Sequence, residues 1–489
     1  MKQLKSLSVP HHKNTAYMPA RRMDVPAFVN IPMSMNIGPP SKPVVSAGKT
    51  VKVGQLIAEA GGYVGAPIHS SVSGKVKKIG TTVNSMGQYV PLITIETDGL
   101  QEPYEGLAPP DVHDFKSFIQ AVADCGAVGL GGASFPTMVK LNIKSLDQCE
   151  VIIVNAAECE PYNTSDTSTL FERGDEVFEG ILLLKKYMQA KQIIIAIEDI
   201  NTRNIESFKE RIRTSGVSGV ELRILPSTYP QGAEKVLIYN TTGRIVMEGK
   251  LPIDAGAIVI NCTTLAVIAH YIRTGMPLVE KTVTVDGSAV KEPANIIAPI
   301  GTALRDLYNA CGGFKEEPKK VLYGGPMMGI AVPDLDQPVL KSTNATLAFN
   351  EKDARIPEQT ACIRCGKCID VCPFNLMPVE LYNACENRNC DMLRKLKVNL
   401  CMECGCCAYV CPAKRELVES NKLGKALVRA DDAKKKAAVE EAAARAAAKA
   451  EAEQAEGEST GKEPSRTEKN SSAGGRILFL PRRKDKKRR

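Results

Sequence analysis

Eight cysteines constrain this chain more than any other feature. Cys362-x2-Cys365-x2-Cys368-x3-Cys372-Pro373 is followed by Cys401-x2-Cys404-x2-Cys407-x3-Cys411-Pro412. Three thiolates at x2 steps wrap one corner of a [4Fe–4S] cubane, and the fourth, before proline, reaches across to the other cubane. The spacing therefore assigns one cluster to Cys362, Cys365, Cys368 and Cys411, and the second to Cys401, Cys404, Cys407 and Cys372. Zinc requires neither the third cysteine nor the Cys-Pro ending, let alone both twice. Disulfides need an oxidising compartment, and the first 13 residues have no apolar core of a secretory leader. Two such clusters carry single electrons. Cys406 fits no step of the spacing and reads as a spectator. Cys385 and Cys390 lie between the copies, in a stretch that reads as helix and loop. They read as packing residues, as do Cys125, Cys149, Cys262 and Cys311.

At 489 residues the chain is long enough for several domains. The expected architecture is multidomain α/β and α+β. Residues 1–105 are rich in Gly, Pro and Val in short alternating segments, which read as hairpin strands of a β-sandwich. That module resembles lipoyl and biotinyl carrier domains (the barrel-sandwich hybrid). The carrier lysine's context is missing, so a structural or docking role is expected. Residues 106–277 carry four short aliphatic runs, at 151–155, 192–197, 221–225 and 257–261, each bounded by helix or loop sequence. Fully buried parallel strands read this way, and a doubly wound sheet is expected. Residues 278–345 form a smaller α+β unit, with strands near 282–286 and 320–325 and a helix near 303–310. Residues 346–422 hold the cysteine motifs in a helical domain. Residues 423–489 form an Ala/Lys/Glu-rich low-complexity tail, read as a solvated helix or partly disordered over 433–456 and as a linker over 457–473.

The most apolar stretch, residues 255–272, contains Asn261, Thr263, Thr264 and His270. It reads as strand and helix start, not as a membrane span. The net charge of +8 is concentrated in the last eight residues, 482–489. This reads as a solvated tail, with attraction to anionic lipid, about 1 kcal/mol per basic residue, as the sharper alternative. No motif supports nucleic-acid binding, and His11, His12, His69, His113 and His270 form no metal spacing.

The second informative stretch is Gly126-Ala-Val-Gly129-Leu130-Gly131-Gly132-Ala-Ser134-Phe135-Pro136-Thr137-Met-Val-Lys140. Glycine turns let backbone N–H groups approach a phosphate, and a following helix N-terminus favours its charge. The stretch resembles the flavin and NADH loop of the NADH-oxidising flavoprotein subunit of respiratory complex I. Asn155-Ala-Ala-Glu158-Cys-Glu160-Pro161, Gly232-Ala-Glu234-Lys235 and Asn261-Cys-Thr-Thr264-Leu265 resemble further segments of that flavoprotein, in the same order. Residues 278–345 resemble its β-grasp (SLBB-like) module. The four modules in this order, with Ile37-Gly-Pro-Pro-Ser-Lys-Pro43 and Ala66-Pro-Ile-His-Ser-Ser-Val-Ser-Gly74, are similar to the C subunit of Rnf-type complexes over about residues 1–420. Leu130, Ala157 and Ser134 depart from the complex I pattern, which has Arg, Asp and Gly there. The single-cluster motif of the complex I flavoprotein is replaced here by the two-cluster ferredoxin-like insert.

The resemblance implies FMN contacts from Gly129, Gly131, Gly132, Lys140, Asn155, Glu158, Asn261 and Thr264, and nicotinamide-side roles for Glu160 and Glu234. It implies two [4Fe–4S] clusters, FMN and NAD(H) as cofactors, in an NADH-linked flavin iron–sulfur oxidoreductase subunit. The partners implied are the other Rnf proteins, namely the ferredoxin-type B subunit and the A, D, E and G subunits of the membrane, coupled to ferredoxin and to Na+ or H+ movement. The implied place is peripheral, at the cytoplasmic side of the cell membrane. Two other readings stay open from the residues: a soluble cobalamin reductase of a bacterial microcompartment, and a relay or docking subunit without flavin.

Overall fold

Four aliphatic runs become four parallel strands in the computed structural model, which describes residues 3–84 and 87–459. Their order is Val220–Leu225, Gln192–Glu198, Val151–Ala156, Ala257–Asn261. Each run matches its expected place to within a residue. Ile152, Val154, Ile193, Ile195, Ile258 and Ile260 face one apolar layer, with Phe118, Ile181, Phe208 and Leu265 packed on it. Val151, Ile153, Ile194, Ala196, Ala257 and Val259 face another, under Leu237 and Ile238. Both faces are covered, so the inner strands are apolar on both sides and do not alternate. The sheet is doubly wound, as expected. Its first and last strands lie side by side, with Asn155 paired to Asn261. That is the point where strand order reverses, and in such sheets a crevice opens there.

The N-terminal module has a four-stranded sheet, Phe28–Pro32, Tyr89–Thr97, Gly74–Val83 and Thr50–Val51, and a three-stranded one, Lys42–Pro43, Leu56–Glu59 and Ile68–His69. Val29, Ile31, Ile57, Ile68, Val76, Ile93 and Ile95 fill the space between them. Residues 3–24 form none of the strands of this sandwich. Leu7 forms an isolated bridge with Tyr229, and Arg21–Arg22 pairs with Ile296 and Ile297 at the edge of the next domain's sheet.

That sheet has six strands: Arg21–Arg22, Ala294–Pro299, Glu280–Asp286, Ala345–Phe349, Lys320–Tyr323 and Ile330–Ala331. The expected boundary at residue 345 falls on the first residue of Ala345–Phe349, a central strand. That strand is five buried residues long and is followed by the cap Asn350 of a short helix, so its sequence offers no linker to mark where the unit stops.

The cysteine domain is built from short helices, including Lys367–Asp370, Pro378–Glu386, Cys390–Lys395 and Cys406–Tyr409. Cys385 is buried in the second of these and Cys390 starts the third. A 43-residue helix, Leu417–Ser459, follows. Residues 432–451 are all exposed, as a stripe-less Ala/Lys/Glu sequence requires. Residues 1–427 and 428–489 are separate units. Residues 457–459 of the expected linker lie in this helix, and the rest of it and the basic segment 482–489 lie outside the described residues. Among the described residues no helix is long and apolar enough to cross a membrane. Residues 255–272 are divided between strand Ala257–Asn261 and helix Cys262–Thr274.

Candidate functional site: a glycine-loop cleft joined to a cysteine motif

A cleft of about 2230 Å³ opens at the reversal point. Single-ligand pockets run to roughly 300–1,000 Å³, so this one has room for two nucleotides. Gly129, Gly131, Gly132, Lys140, Asn155, Glu158, Glu160, Glu234, Asn261 and Thr264 all line it. The glycine loop is a tight return. Gly129 N–H donates to Phe135 O at 2.8 Å, and Leu130 N–H donates to Thr264 Oγ1 at 3.1 Å. Leu130 itself is fully buried, where the complex I pattern has a cationic side chain. At the tip Gly132 has φ +116°, a conformation that strains any residue with a Cβ. Behind the loop Lys341 is buried and donates to Pro67 O at 2.6 Å and Gly126 O at 2.8 Å, tying the loop to the N-terminal sandwich.

The polar residues around the cleft brace one another. Asn261 caps helix Cys262–Thr274 by accepting from Thr264 N–H at 3.2 Å, and its Nδ2 donates to Asp166 Oδ2 at 2.7 Å. Asn155 donates to Gly232 O at 2.9 Å and accepts from Ala157 N–H at 3.1 Å. Lys140 Nζ donates to Glu234 Oε1 at 2.8 Å and Val259 O at 3.0 Å. Glu158 is buried, and its carboxylate accepts from Asp166 N–H (3.0 Å), Thr167 N–H (3.1 Å) and Thr167 Oγ1 (3.0 Å) at the start of helix Ser165–Glu172. Glu160 accepts from Met327 N–H at 3.1 Å and Met328 N–H at 2.8 Å, and burial pushes its carboxyl up to about 7. Gly325 passes so close that a Cβ there would stand 2.2 Å from Glu160 Oε2.

The far end of the cleft is walled by Phe374, Asn399, Leu400, Cys401 and Met402. The two cysteine motifs are alike in sequence and unlike in burial. Cys362 and Cys365 are exposed, whereas their counterparts Cys401 and Cys404 are half-buried and buried. Cys404 and Cys406 pack with Leu7, Val9 and Tyr229, and Met327 covers them. Cys372 joins Cys401, Cys404 and Cys407 around one small cavity. The same crossing appears in the field at two of the thiols. Beyond the effect of burial, Cys404, Cys401 and Cys372 raise Cys407, while Cys411 and Cys365 raise Cys368. Asn421 Nδ2 and Glu403 N–H each donate to Cys401 Sγ at 3.4 Å. The neighbouring Cys404 thiol and burial together push the Cys406 thiol well up from its ordinary value.

Known families cover the chain in the same order as these parts. The RnfC barrel sandwich hybrid domain matches residues 4–100, the Nuo51 FMN-binding domain residues 122–270, the SLBB domain residues 282–331 and the 4Fe-4S binding domain residues 357–376. The C subunit of the proton-translocating ferredoxin:NAD(+) oxidoreductase complex of Clostridium ljungdahlii is 40% identical over 374 residues, 76% of this chain and 81% of that protein. The C subunit of the Na(+)-translocating ferredoxin:NAD(+) oxidoreductase complex of Acetobacterium woodii is 39% identical over 395 residues, 78% and 88% of the two chains. This chain belongs to the C-subunit family of Rnf-type complexes. A third relative, the C subunit of the ion-translocating oxidoreductase complex of Rhodobacter capsulatus, is 36% identical over 375 residues, 76% and 72% of the two.

The residues fit the cofactors of that family. Among the described residues the N–H groups of Gly131, Gly132 and Ala133 have no acceptor, and Gly132 and Ala133 are exposed, which leaves donors free for a phosphate or a ring edge. No three His, Cys, Asp or Glu side chains among the described residues close around a single metal ion. Cys372, Cys401, Cys404 and Cys407 instead stand around a small space, as ligands on the outside of a cubane must. The fold places Gly129, Gly131 and Gly132 at the open loop. Asn155, Glu158, Asn261 and Thr264 brace the walls, and Lys140 is paired with Glu234. Lys13, Asp166, Cys159 and Tyr229 escaped the sequence reading. Lys13 Nζ donates to the carbonyls of Glu158, Glu160 and Asn163 at 2.6, 3.0 and 2.5 Å. Cys159 accepts from Gly232 N–H at 3.2 Å. Asp166 had one available signal: an acidic residue in the first turn of a helix, just after the Glu-x-Glu-Pro segment.

Proposed function

We propose that this chain is the electron-input subunit of a membrane-associated, ion-translocating Rnf-type complex, exchanging electrons between NAD(H) and two iron–sulfur sites by way of FMN. The observation that carries this reading is a single cleft that runs from the glycine loop to Cys401 and Met402. A bound flavin supplies the conversion between a two-electron hydride and single electrons. The chain's own residues position and exclude. Gly131 and Gly132 offer N–H groups, and Lys140 is a cation within the cleft. Glu160 and Glu234 present carboxyl groups on the nicotinamide side. Asn155 fixes the Gly232 loop and Asn261 fixes Asp166 and the start of helix Cys262–Thr274 at the paired strand ends.

The motif of Cys401, Cys404, Cys407 and Cys372 borders the cleft, so its cluster is the inner one. The cluster of Cys362, Cys365, Cys368 and Cys411 is the outer one. Its exposed cysteines, with exposed Ile363 and Arg364 beside them, suit contact with an acidic redox protein such as the ferredoxin-type B subunit. The A, D, E and G subunits would form the membrane arm, and this chain would lie at its cytoplasmic side. The test is anaerobic addition of NADH to the chain carrying FMN and both clusters. Bleaching of flavin and cluster absorbance together is expected, and an unchanged spectrum would sink the reading.

A further inference from the structure

The inner motif is gripped by a residue from the flavin domain. Tyr229 is among the largest fully buried side chains. Its backbone is fixed by two hydrogen bonds with Leu7, each of 2.9 Å. It lines the cleft, and its hydroxyl lies 2.7 Å from Cys404 O and 3.5 Å from Glu160 Oε1. A phenol has one proton to donate. The shorter contact takes it, so the O–H points at the carbonyl of a cluster-binding cysteine. Cys365, the counterpart of Cys404 in the outer motif, is exposed and receives no such bond among the described residues.

We propose that Tyr229 is a positioning residue for the inner cluster, holding the Cys404 loop against the cleft and raising that cluster's reduction potential relative to one without the hydroxyl. The physical cause is twofold. The hydroxyl satisfies a buried carbonyl that would otherwise lack a partner. The donated proton also offsets the negative end of the carbonyl dipole on a cluster-binding cysteine, and hydrogen bonding and local dipoles set cluster potentials. The inference rests on the cluster assignment proposed above.

The experiment is an anaerobic redox titration, followed by electron paramagnetic resonance, of the full chain with both clusters and FMN bound. Cys365→Ser marks which signal belongs to the outer cluster. In Tyr229→Phe the inner cluster's curve is expected to move to lower potential, while the outer curve stays in place. Replacing Tyr229 by 3-fluorotyrosine keeps the shape and strengthens the donor, so the inner curve should move the other way. Should Tyr229→Phe load only the outer cluster, the fluorinated chain alone decides. Inner curves that superimpose on the parent's overturn the proposal, as does an equal shift of both clusters. The order of the sites is read separately, by which signal appears first when NADH is mixed in and the reaction frozen. An outer signal appearing first would overturn that order and leave a Tyr229 effect standing.

Discussion

Single side chains here show how far burial displaces chemistry from its value in water. Glu198, at the end of the second sheet strand, is 1% exposed, and neither carboxylate oxygen has a partner among the described residues. Burial lifts its pKa to about 7. A raised acid keeps its proton in the folded chain where the unfolded chain has lost it. Folding is therefore unpenalised below about 4.5, and a cost builds as pH climbs to about 7. Glu198→Gln should flatten that loss and raise the thermal midpoint at pH 8, with a gain of up to about 3 kcal/mol set by roughly 1.36 kcal/mol per unit. Equal midpoints for the two proteins at pH 8 would refute this. Gly325 makes the complementary case, where one methyl is too many. Gly325→Ala puts a Cβ against Glu160 and should push its carboxyl off the Met327 and Met328 amides. NADH-driven reduction should slow several-fold with iron and flavin content intact, as stopped-flow absorbance would show. An unchanged rate would mean that Glu160 is indifferent to its seat.

Among elements, the N-terminal strap joins several of the parts. Leu4 N–H donates to Asn240 Oδ1 at 3.1 Å, Lys5 Nζ to Ile369 O at 3.1 Å, and Lys13 to three carbonyls of the loop 158–163. Lys13→Met leaves those carbonyls short of a donor, at roughly 1–3 kcal/mol for the buried groups. The variant should bind NADH more weakly, with Lys13→Arg recovering part of the loss, measured by NADH titration of the flavin spectrum. The strap also marks where legibility in the sequence ends. The four parallel strands were legible because aliphatic runs of five or six residues have few other uses. The cysteine motifs were legible because their spacing is chemistry in itself. The glycine loop and its companion segments were legible only in combination. The strap was not, since its contacts are two lysines to carbonyls, one backbone N–H to an asparagine and an isolated bridge at Leu7, and none of these leaves a periodic trace. The roles of Asn155, Glu158 and Asn261 were only half visible. Their types were right for a polar cleft, but whether such a side chain faces a ligand or a neighbouring loop depends on tertiary position.

At the scale of the whole molecule the doubled motif becomes directional. One copy is walled in by Leu7, Tyr229 and Met327, and the other has its first two cysteines exposed. Oxygen or a chelator should therefore strip the outer cluster first, leaving about half the iron, as two equal cubanes require, and the inner cluster's resonance signal. Parallel loss of both would contradict the asymmetry. The wall has a further consequence, for how the protein comes to hold its iron. Leu7, Tyr229 and Met327 belong to three different stretches of chain, all made before Cys401 leaves the ribosome. On the proposed assignment, the inner four cysteines close against a surface that those stretches supply. The outer triplet Cys362, Cys365 and Cys368 needs no such surface, although its proposed fourth ligand, Cys411, is the last cysteine of the chain. Loading of the inner cluster is thus a readout of correct upstream folding, and a chain that misfolds in its first domains carries no electron path from the cleft.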